Sequence, residues 1–119
     1  MNNTDNELMV LIKTKDLIDY SLTMTDNTKR YPKKVRFTFV NRIQDLVLNI
    51  YKNISKTNEL PINKRKSMQI DILSDINVLL FLIELSLKRN YISERQCEIW
   101  TKKALDVKYL TAAWMKKTK

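Results

Sequence analysis

Apolar residues recur every three or four positions along most of the chain, with polar residues between them. This spacing marks one face of an α-helix and predicts four helices, over about residues 5–24, 32–57, 63–89 and 93–117. The links between them are short and polar. Because short links favour antiparallel neighbours, we predict an all-α fold, an antiparallel up-down-up-down four-helix bundle, with residues 1–119 as a single domain.

The third and fourth helices have further features. The third is apolar on a wide face, which predicts a central position or an additional contact with a neighbouring subunit. In the fourth, Ser93 is the predicted N-cap and Gln96 completes a capping box. Trp100 and Trp114 are fourteen residues apart, nearly four turns, so they share a face as anchors of the core or of a subunit interface.

Composition agrees with helices and suggests a compartment. The chain has no glycine and two prolines, whereas hairpin turns of sheet-rich folds need residues with positive φ. One cysteine excludes an intrachain disulfide and suits a reducing compartment. The first residues do not resemble a signal peptide. The most apolar run, Ile76 to Leu87, is much shorter than the ~20 residues of a membrane span. We therefore expect a cytoplasmic protein without a membrane partner.

Positive charge is concentrated in one part of the sequence. The formal net charge is +9, and residues 29–66 contain eleven basic and only two acidic residues. Such an excess favours anionic partners, above all nucleic acid. A solvated surface without a partner is the alternative explanation.

Two basic clusters are candidate nucleic-acid contacts. The first precedes and opens the second helix, the other opens the third, and antiparallel packing would place them at opposite ends of the bundle. The candidates are Lys29, Arg30, Lys33, Lys34 and Arg36, then Lys64, Arg65 and Lys66, with Arg42, Lys52 and Lys56 between the clusters. We expect Lys33, Lys34, Arg36 and Arg42 to be the main contacts. The interleaved Tyr31, Phe37 and Tyr51 either stack on bases or anchor the core.

Residues that serve in catalysis are scarce. Histidine is absent, which removes the commonest general base and metal ligand. Without glycine there is no Walker loop and no dinucleotide-binding fingerprint. Cys97 has no histidine partner, so we interpret it as a structural thiol. Asp71 and Asp75 share a helix face and either pair with basic residues of a neighbouring helix or form a weak cation site. We predict no catalytic residues, no metal, no cofactor and no small-molecule substrate.

Several of these residues together resemble a known family. The segment Arg30 to Phe39, RYPKKVRFTF, followed by Asn41-Arg42-Ile43, resembles the start of the second helix in accessory variability determinant proteins of diversity-generating retroelements. Lys64 to Lys66 before a Leu/Ile-rich run and the ending Trp114-Met115-Lys116 are also similar to that family. The chain departs from the family at Val40-Asn41 and Ala112-Ala113, near which members often have glycine.

The resemblance implies a function. Members of the family form homopentameric rings of four-helix bundles in bacteria. The ring is basic and binds the reverse transcriptase of the retroelement and its template RNA, or DNA. It supports mutagenic cDNA synthesis and contributes no catalytic residue. The bundle is also similar to proteins encoded by intervening sequences of ribosomal RNA genes, which implies the alternative of a stand-alone oligomer without a reverse transcriptase. A reverse transcriptase gene beside this one would favour the first function.

Overall fold

Four long helices form the fold in the computed structural model, which describes residues 3–118 and the side chains of residues 7–118. They are α1 (Asn3–Thr25), α2 (Asn41–Glu59), α3 (Arg65–Lys88) and α4 (Glu94–Lys117). No β-strand occurs within residues 3–118. The predicted all-helical class is thus confirmed, and the arrangement is consistent with a four-helix bundle.

All four helices contribute to one core. α1 packs against α2 and α4, and α3 packs against the same two helices. Fully buried side chains include Leu17 of α1, Ile50 of α2, Ile76 of α3 and Val107 of α4. The molecule measures 45 × 24 × 18 Å, so the core is long and narrow.

The apolar width of α3 is not explained by a central position. Like the other helices, α3 packs mainly against two neighbours. Its outward side exposes Ile70, Val78 and Phe81, which are about half accessible. This leaves the other explanation, a contact with a further subunit, as a proposal.

The second predicted helix differs most from the structure. The chain forms a 3₁₀ turn at Lys33–Val35 and a π-turn at Arg36–Val40 before α2 begins at Asn41. Val35, Phe39 and Ile43 are buried and follow one another at intervals of four residues. In a regular α-helix, each of them would point about 40° further around the helix axis than the one before it. A π-turn has more residues per turn, so it returns Phe39 to the core face. In the π-turn the Asn41 N–H donates to the Arg36 carbonyl.

The other helix boundaries lie within two residues of the predicted ones, apart from a 3₁₀ turn at Ile62–Lys64 that precedes α3. The predicted capping box of α4 is confirmed. Ser93 Oγ accepts from the Gln96 N–H at 3.1 Å, and Gln96 Oε1 accepts from the Ser93 N–H at 2.9 Å. Together these two bonds satisfy donors that the start of a helix leaves free.

α3 ends in a Schellman motif built without glycine. Asn90 adopts a positive φ of 64°, its N–H donates to the Leu87 carbonyl, and the Tyr91 N–H donates to the Ser86 carbonyl. Glycine usually occupies this left-handed position, and asparagine is the common substitute because its short polar side chain tolerates the conformation. A glycine-free chain can therefore still make a tight turn between α3 and α4.

Two buried tryptophans and a buried amide hold α4 in place. Trp100 and Trp114 are fully buried, as predicted for core anchors. Trp100 Nε1 donates to Ser21 Oγ of α1 at 2.9 Å. Near the other end of α4, Gln69 Nε2 of α3 donates to Thr118 Oγ1 at 3.0 Å, and that hydroxyl donates to the Trp114 carbonyl. The end of the described chain is thus fixed to the bundle.

Candidate nucleic-acid interface

The link between α1 and α2 is anchored by Tyr31. This side chain is 2% exposed, and its hydroxyl donates to Ser86 Oγ of α3 at 2.9 Å. Its ring centroid lies 5.2 Å from that of Tyr91 and 6.3 Å from that of Phe39. Of the two predicted uses of Tyr31, stacking on bases is therefore wrong and core anchoring is confirmed.

Anchoring at Tyr31 leaves most of the first basic cluster facing solvent. Lys29, Lys33, Lys34, Arg36 and Arg42 are all exposed. Three ion pairs occur among the described side chains, and none involves these five residues. Their charges are therefore available to an anionic partner.

Arg30 differs from its neighbours in the sequence. Its side chain is half-buried, and Nη1 donates to the carbonyls of Met24 at 3.1 Å and Thr23 at 3.5 Å. These carbonyls belong to the last turn of α1, which lacks helical donors and favours a cation. Arg30 thus has a structural role at the end of α1.

The second cluster divides in the same way. Lys64 and Lys66 are exposed, whereas Arg65 is half-buried. Arg65 Nη1 pairs with Glu7 Oε1 of α1 at 2.5 Å, Nε donates to the Leu60 carbonyl at 2.9 Å, and Nη2 donates to the Asn58 carbonyl at 3.1 Å. Because its donors are occupied, Arg65 holds the link between α2 and α3 against α1 and offers little to a ligand.

The two clusters lie at the two ends of α2. That helix has 19 residues, which corresponds to roughly 28 Å of length. Lys52 and Lys56 are exposed along it. A bound strand that touched both clusters would therefore have to follow most of the length of α2.

The fold adds three basic residues that the sequence analysis did not include. Tyr91 packs on Tyr31, so the turn between α3 and α4 lies beside the first cluster. Lys88, Arg89 and Arg95 are exposed on and next to this turn. We call the group formed by Lys88, Arg89 and Arg95 with Lys29, Lys33, Lys34, Arg36 and Arg42 the basic end. Three carboxylates, those of Asp26, Asp45 and Glu94, are exposed near these eight cations, so positive charge remains in excess.

Electrostatics at Tyr20 indicate that Arg95 lies close to Arg30, which follows Lys29 of the basic end in the chain. Burial raises the pKa of Tyr20, and the positive charges of Arg30, Lys103 and Arg95 oppose that rise. Arg30 and Arg95 are 65 residues apart in the sequence but act on the same phenol. The first cluster is visible in the sequence as a run of basic residues. The contribution of Arg95 is visible only in the structure, where the link between α1 and α2 packs against the turn between α3 and α4.

Two cavities border the π-turn. The first, of about 230 Å³, is bordered by Lys33 and Arg36. In its wall Gln44 Nε2 donates to Thr25 Oγ1 at 2.9 Å and to Asp26 Oδ1 at 3.1 Å. The second, a groove of about 360 Å³, is lined by Phe37, Asn41, Arg42, Asp45, Leu46 and Asn49. Phe37 is 78% exposed, while Tyr51 is half-buried between α1 and α2. Of the three candidate aromatics, Phe37 is the one that solvent reaches freely.

Other candidate chemistry is weak. Cys97 is half-buried, and its Sγ lies 3.8 Å from Thr101 Oγ1. Asp71 and Asp75 form no ion pair within residues 7–118, so the predicted pairing with a neighbouring helix is wrong. Burial and then the neighbouring Asp71 charge raise the pKa of Asp75. No group of three or more potential metal ligands is found in the described part of the chain.

Among residues 3–118, none of the helices combines the length and the apolar character that crossing a bilayer requires.

Comparisons with known proteins give no match. The chain fits no protein-family model, and neither the curated proteins nor the solved structures contain a significant relative. The resemblance to accessory variability determinant proteins therefore rests on the residues that suggest it, and its functional content is a proposal.

Proposed function

We propose that this chain is a non-catalytic accessory protein of a diversity-generating retroelement. It binds the reverse transcriptase and the template RNA, or DNA, through its basic surface and supports mutagenic cDNA synthesis in the bacterial cytoplasm. The observation that carries this proposal is the basic end, where eight cationic side chains from two inter-helix links and the helix ends beside them are exposed without an ion-pair partner among the described residues. Phosphate contacts of this kind supply most of the affinity of proteins for nucleic acid.

The proposal includes the antiparallel up-down-up-down order of helices. Two contacts between α1 and α4 support it. Ser21 meets Trp100, whereas Asp16, one turn earlier in α1, meets Lys103, later in α4. The Lys103 Nζ–Asp16 Oδ2 distance is 2.7 Å. Partner positions rise in α4 as they fall in α1, which is the relation expected of antiparallel helices.

Self-association, with a pentamer as the expected state, is the second component. Ile70, Val78 and Phe81 are exposed on the outward side of α3, and half-buried Leu85 lines a cavity together with Phe81. Apolar side chains that share one face of a helix are typical of a surface that another molecule covers. The same feature fits the alternative function, a stand-alone oligomer of the ribosomal intervening-sequence type.

Charge reversal tests the nucleic-acid part of the proposal. The variant Lys33→Glu/Lys34→Glu/Arg36→Glu/Arg42→Glu is compared with the wild-type chain by fluorescence anisotropy on a labelled single-stranded RNA over a series of salt concentrations. We expect the affinity to collapse. The logarithmic salt slope should fall by about 3, because each phosphate contact with a single strand contributes about 0.7.

The matched control reverses four lysines of α1 and α4 that form no ion pair among the described residues, namely Lys13, Lys15, Lys108 and Lys116. It changes the net charge by the same amount but leaves the basic end intact, so its affinity should fall far less. Equal losses in both variants would mean that RNA responds only to net charge, and the assignment of the interface would be wrong.

Light scattering and co-purification distinguish the accessory protein from the stand-alone oligomer. A mass near five subunits, together with capture of a reverse transcriptase encoded beside the gene and stimulation of its cDNA synthesis, would support the accessory function. An oligomer that neither captures nor stimulates such an enzyme would support the stand-alone alternative.

A further inference from the structure

We propose that Phe37 is the stacking platform for an unpaired base of single-stranded nucleic acid, with Arg36 and Arg42 on the flanking phosphates. This inference deepens the proposed function and rests on it. The cations of the basic end can contact phosphates of single or double strands, whereas an aromatic ring stacks on a base that is unpaired. Phe37 would therefore make the surface selective for single strands.

The first support is the exposure of Phe37. At 78% it is the most exposed of the large apolar side chains in residues 7–118, while Phe39, two residues further on, is 8% exposed. Single exposed apolar residues are common on protein surfaces, so exposure alone decides nothing. The setting of the residue provides the remaining argument.

The second support is the backbone that presents Phe37. The residue lies in the π-turn Arg36–Val40, which places Phe39 in the core and leaves Phe37 outside. π-turns are rare and occur frequently at functional sites. The backbone therefore holds Phe37 outside the core, directly after Arg36 in the chain.

The third support is the chemistry around the ring. Phe37 lines a groove of about 360 Å³ together with Asn41, Arg42, Asp45 and Asn49. The amide side chains can donate to and accept from base edges, and the exposed guanidinium groups of Arg36 and Arg42 can bind phosphates. Proteins that bind single strands with little sequence preference combine aromatic side chains with nearby cations, and here Arg42 shares the groove with Phe37 while Arg36 precedes Phe37 in the chain.

The same surroundings favour nucleic acid over a protein partner. The centre of a protein interface is depleted of charged residues, whereas the groove that Phe37 lines contains Arg42, Asp45 and two asparagines. The apolar exposed residues of α3 provide a better protein contact. An unpaired base is favoured over a duplex because bases within a duplex are stacked on each other and are not open to an aromatic side chain.

The experiment measures RNA affinity of Phe37→Leu by fluorescence anisotropy. The leucine keeps the apolar character but removes the aromatic face. Because the site is exposed, the substitution should leave the fold and its stability unchanged. We expect the affinity for a single-stranded polyuridine to fall about 5- to 100-fold. The salt slope should not change, because no phosphate contact is lost.

Three controls accompany it. Tyr109→Leu removes an aromatic side chain of similar exposure, 62%, from α4 and should leave the affinity unchanged. Phe37→Trp should retain binding, and its exposed indole should be quenched by the RNA, while the buried Trp100 and Trp114 contribute a constant background. An abasic strand with the same phosphates should bind wild type and Phe37→Leu equally well.

The outcomes separate this inference from the proposed function. If the wild-type chain binds RNA with a steep salt dependence but Phe37→Leu binds equally well, the inference is wrong and the proposed function stands. If Phe37→Leu instead weakens only the capture of the reverse transcriptase, Phe37 is a protein contact and the inference is likewise wrong. If the wild-type chain binds no RNA at low salt, both fail.

Discussion

The hydroxyl of Tyr31 donates a hydrogen bond of 2.9 Å to Ser86 Oγ, across 55 residues of sequence. Both residues are buried, and Ser86 Oγ in turn donates to the Leu82 carbonyl at 2.7 Å. The bond fastens the link between α1 and α2 to α3. Since Lys29, Lys33 and Arg36 lie on or next to that link, the position of the basic end depends on this contact.

Tyr31→Phe should therefore destabilise the protein without changing its fold. The loss of one buried hydrogen bond lowers the free energy of unfolding by about 1 kcal/mol. Denaturant unfolding followed by circular dichroism measures the change. Tyr109→Phe is the control, because it removes the hydroxyl of an exposed tyrosine and should leave the free energy of unfolding unchanged. A neutral Tyr31→Phe would contradict the anchoring role of the hydrogen bond.

Tyr31 also gives the protein a defined response to alkaline pH. Burial raises the pKa of Tyr31 to about 12, against an ordinary value of 10.0. Between these pH values the unfolded chain loses a proton that the folded chain keeps, so stability is complete below pH 10 and decreases as pH rises towards 12. An ultraviolet titration should show one phenol that ionises last. In Tyr31→Phe that phenol should be missing, and the alkaline loss of stability should be smaller.

Asn90 is expected to be sensitive to substitution by alanine but not by glycine. Its φ of 64° is left-handed, a conformation that costs residues with a Cβ about 1–2 kcal/mol. Asn90→Ala should lower the free energy of unfolding by about 1 kcal/mol, while Asn90→Gly should retain or increase it. Thermal and denaturant unfolding measure both variants. Equal stability of the two would show that the turn between α3 and α4 is not constrained at this residue.

Periodicity and capping residues were sufficient to predict the four helices, the burial of both tryptophans and the Ser93–Gln96 capping box, because these features depend on local sequence. The π-turn was not predictable in the same way. The repeat Val35, Phe39, Ile43 is compatible with a continuous helix, and only packing against the other helices selects the wider turn.

The candidate site was predictable in part for a related reason. A run of basic residues indicates a charged surface, but it does not indicate which side chains already have partners. Arg30 and Arg65 look the same in sequence as Lys33 and Lys66, yet they are bound to backbone carbonyls of the same chain. Conversely, Arg95 belongs to the basic end because two distant turns meet, which no local pattern reveals.

The division within the second cluster can be tested by neutral substitutions. Arg65→Gln removes three charge-assisted contacts and should lower the free energy of unfolding by about 2–3 kcal/mol. Lys66→Gln, one position away and exposed, should remain within about 0.5 kcal/mol of the wild-type value. If Lys66→Gln lowered RNA affinity while Arg65→Gln lowered only stability, the two roles would be separated. Comparable destabilisation by both variants would contradict the structural role of Arg65.

Asp75 provides a test of whether α3 is covered by another subunit. Burial, followed by the Asp71 charge, raises the pKa of Asp75, and no basic residue of the described chain pairs with it. A raised pKa means that the folded chain holds the proton to higher pH than the unfolded chain, so this contribution to stability is present at low pH and is lost as pH rises. Asp75→Asn should therefore raise the melting temperature at neutral pH.

The difference between Asp75→Asn and the wild-type chain should disappear below the ordinary pKa of aspartate, about 3.9, where both residues are neutral. Asp71→Asn is the matched control. Asp71 is exposed, and its substitution removes only the repulsion between the two carboxylates. It should therefore raise the melting temperature at neutral pH by a smaller amount than Asp75→Asn. A lower melting temperature of Asp75→Asn at neutral pH would mean that the carboxylate has a positive partner. If dilution of the oligomer then restored the expected sign, that partner would lie in a neighbouring copy.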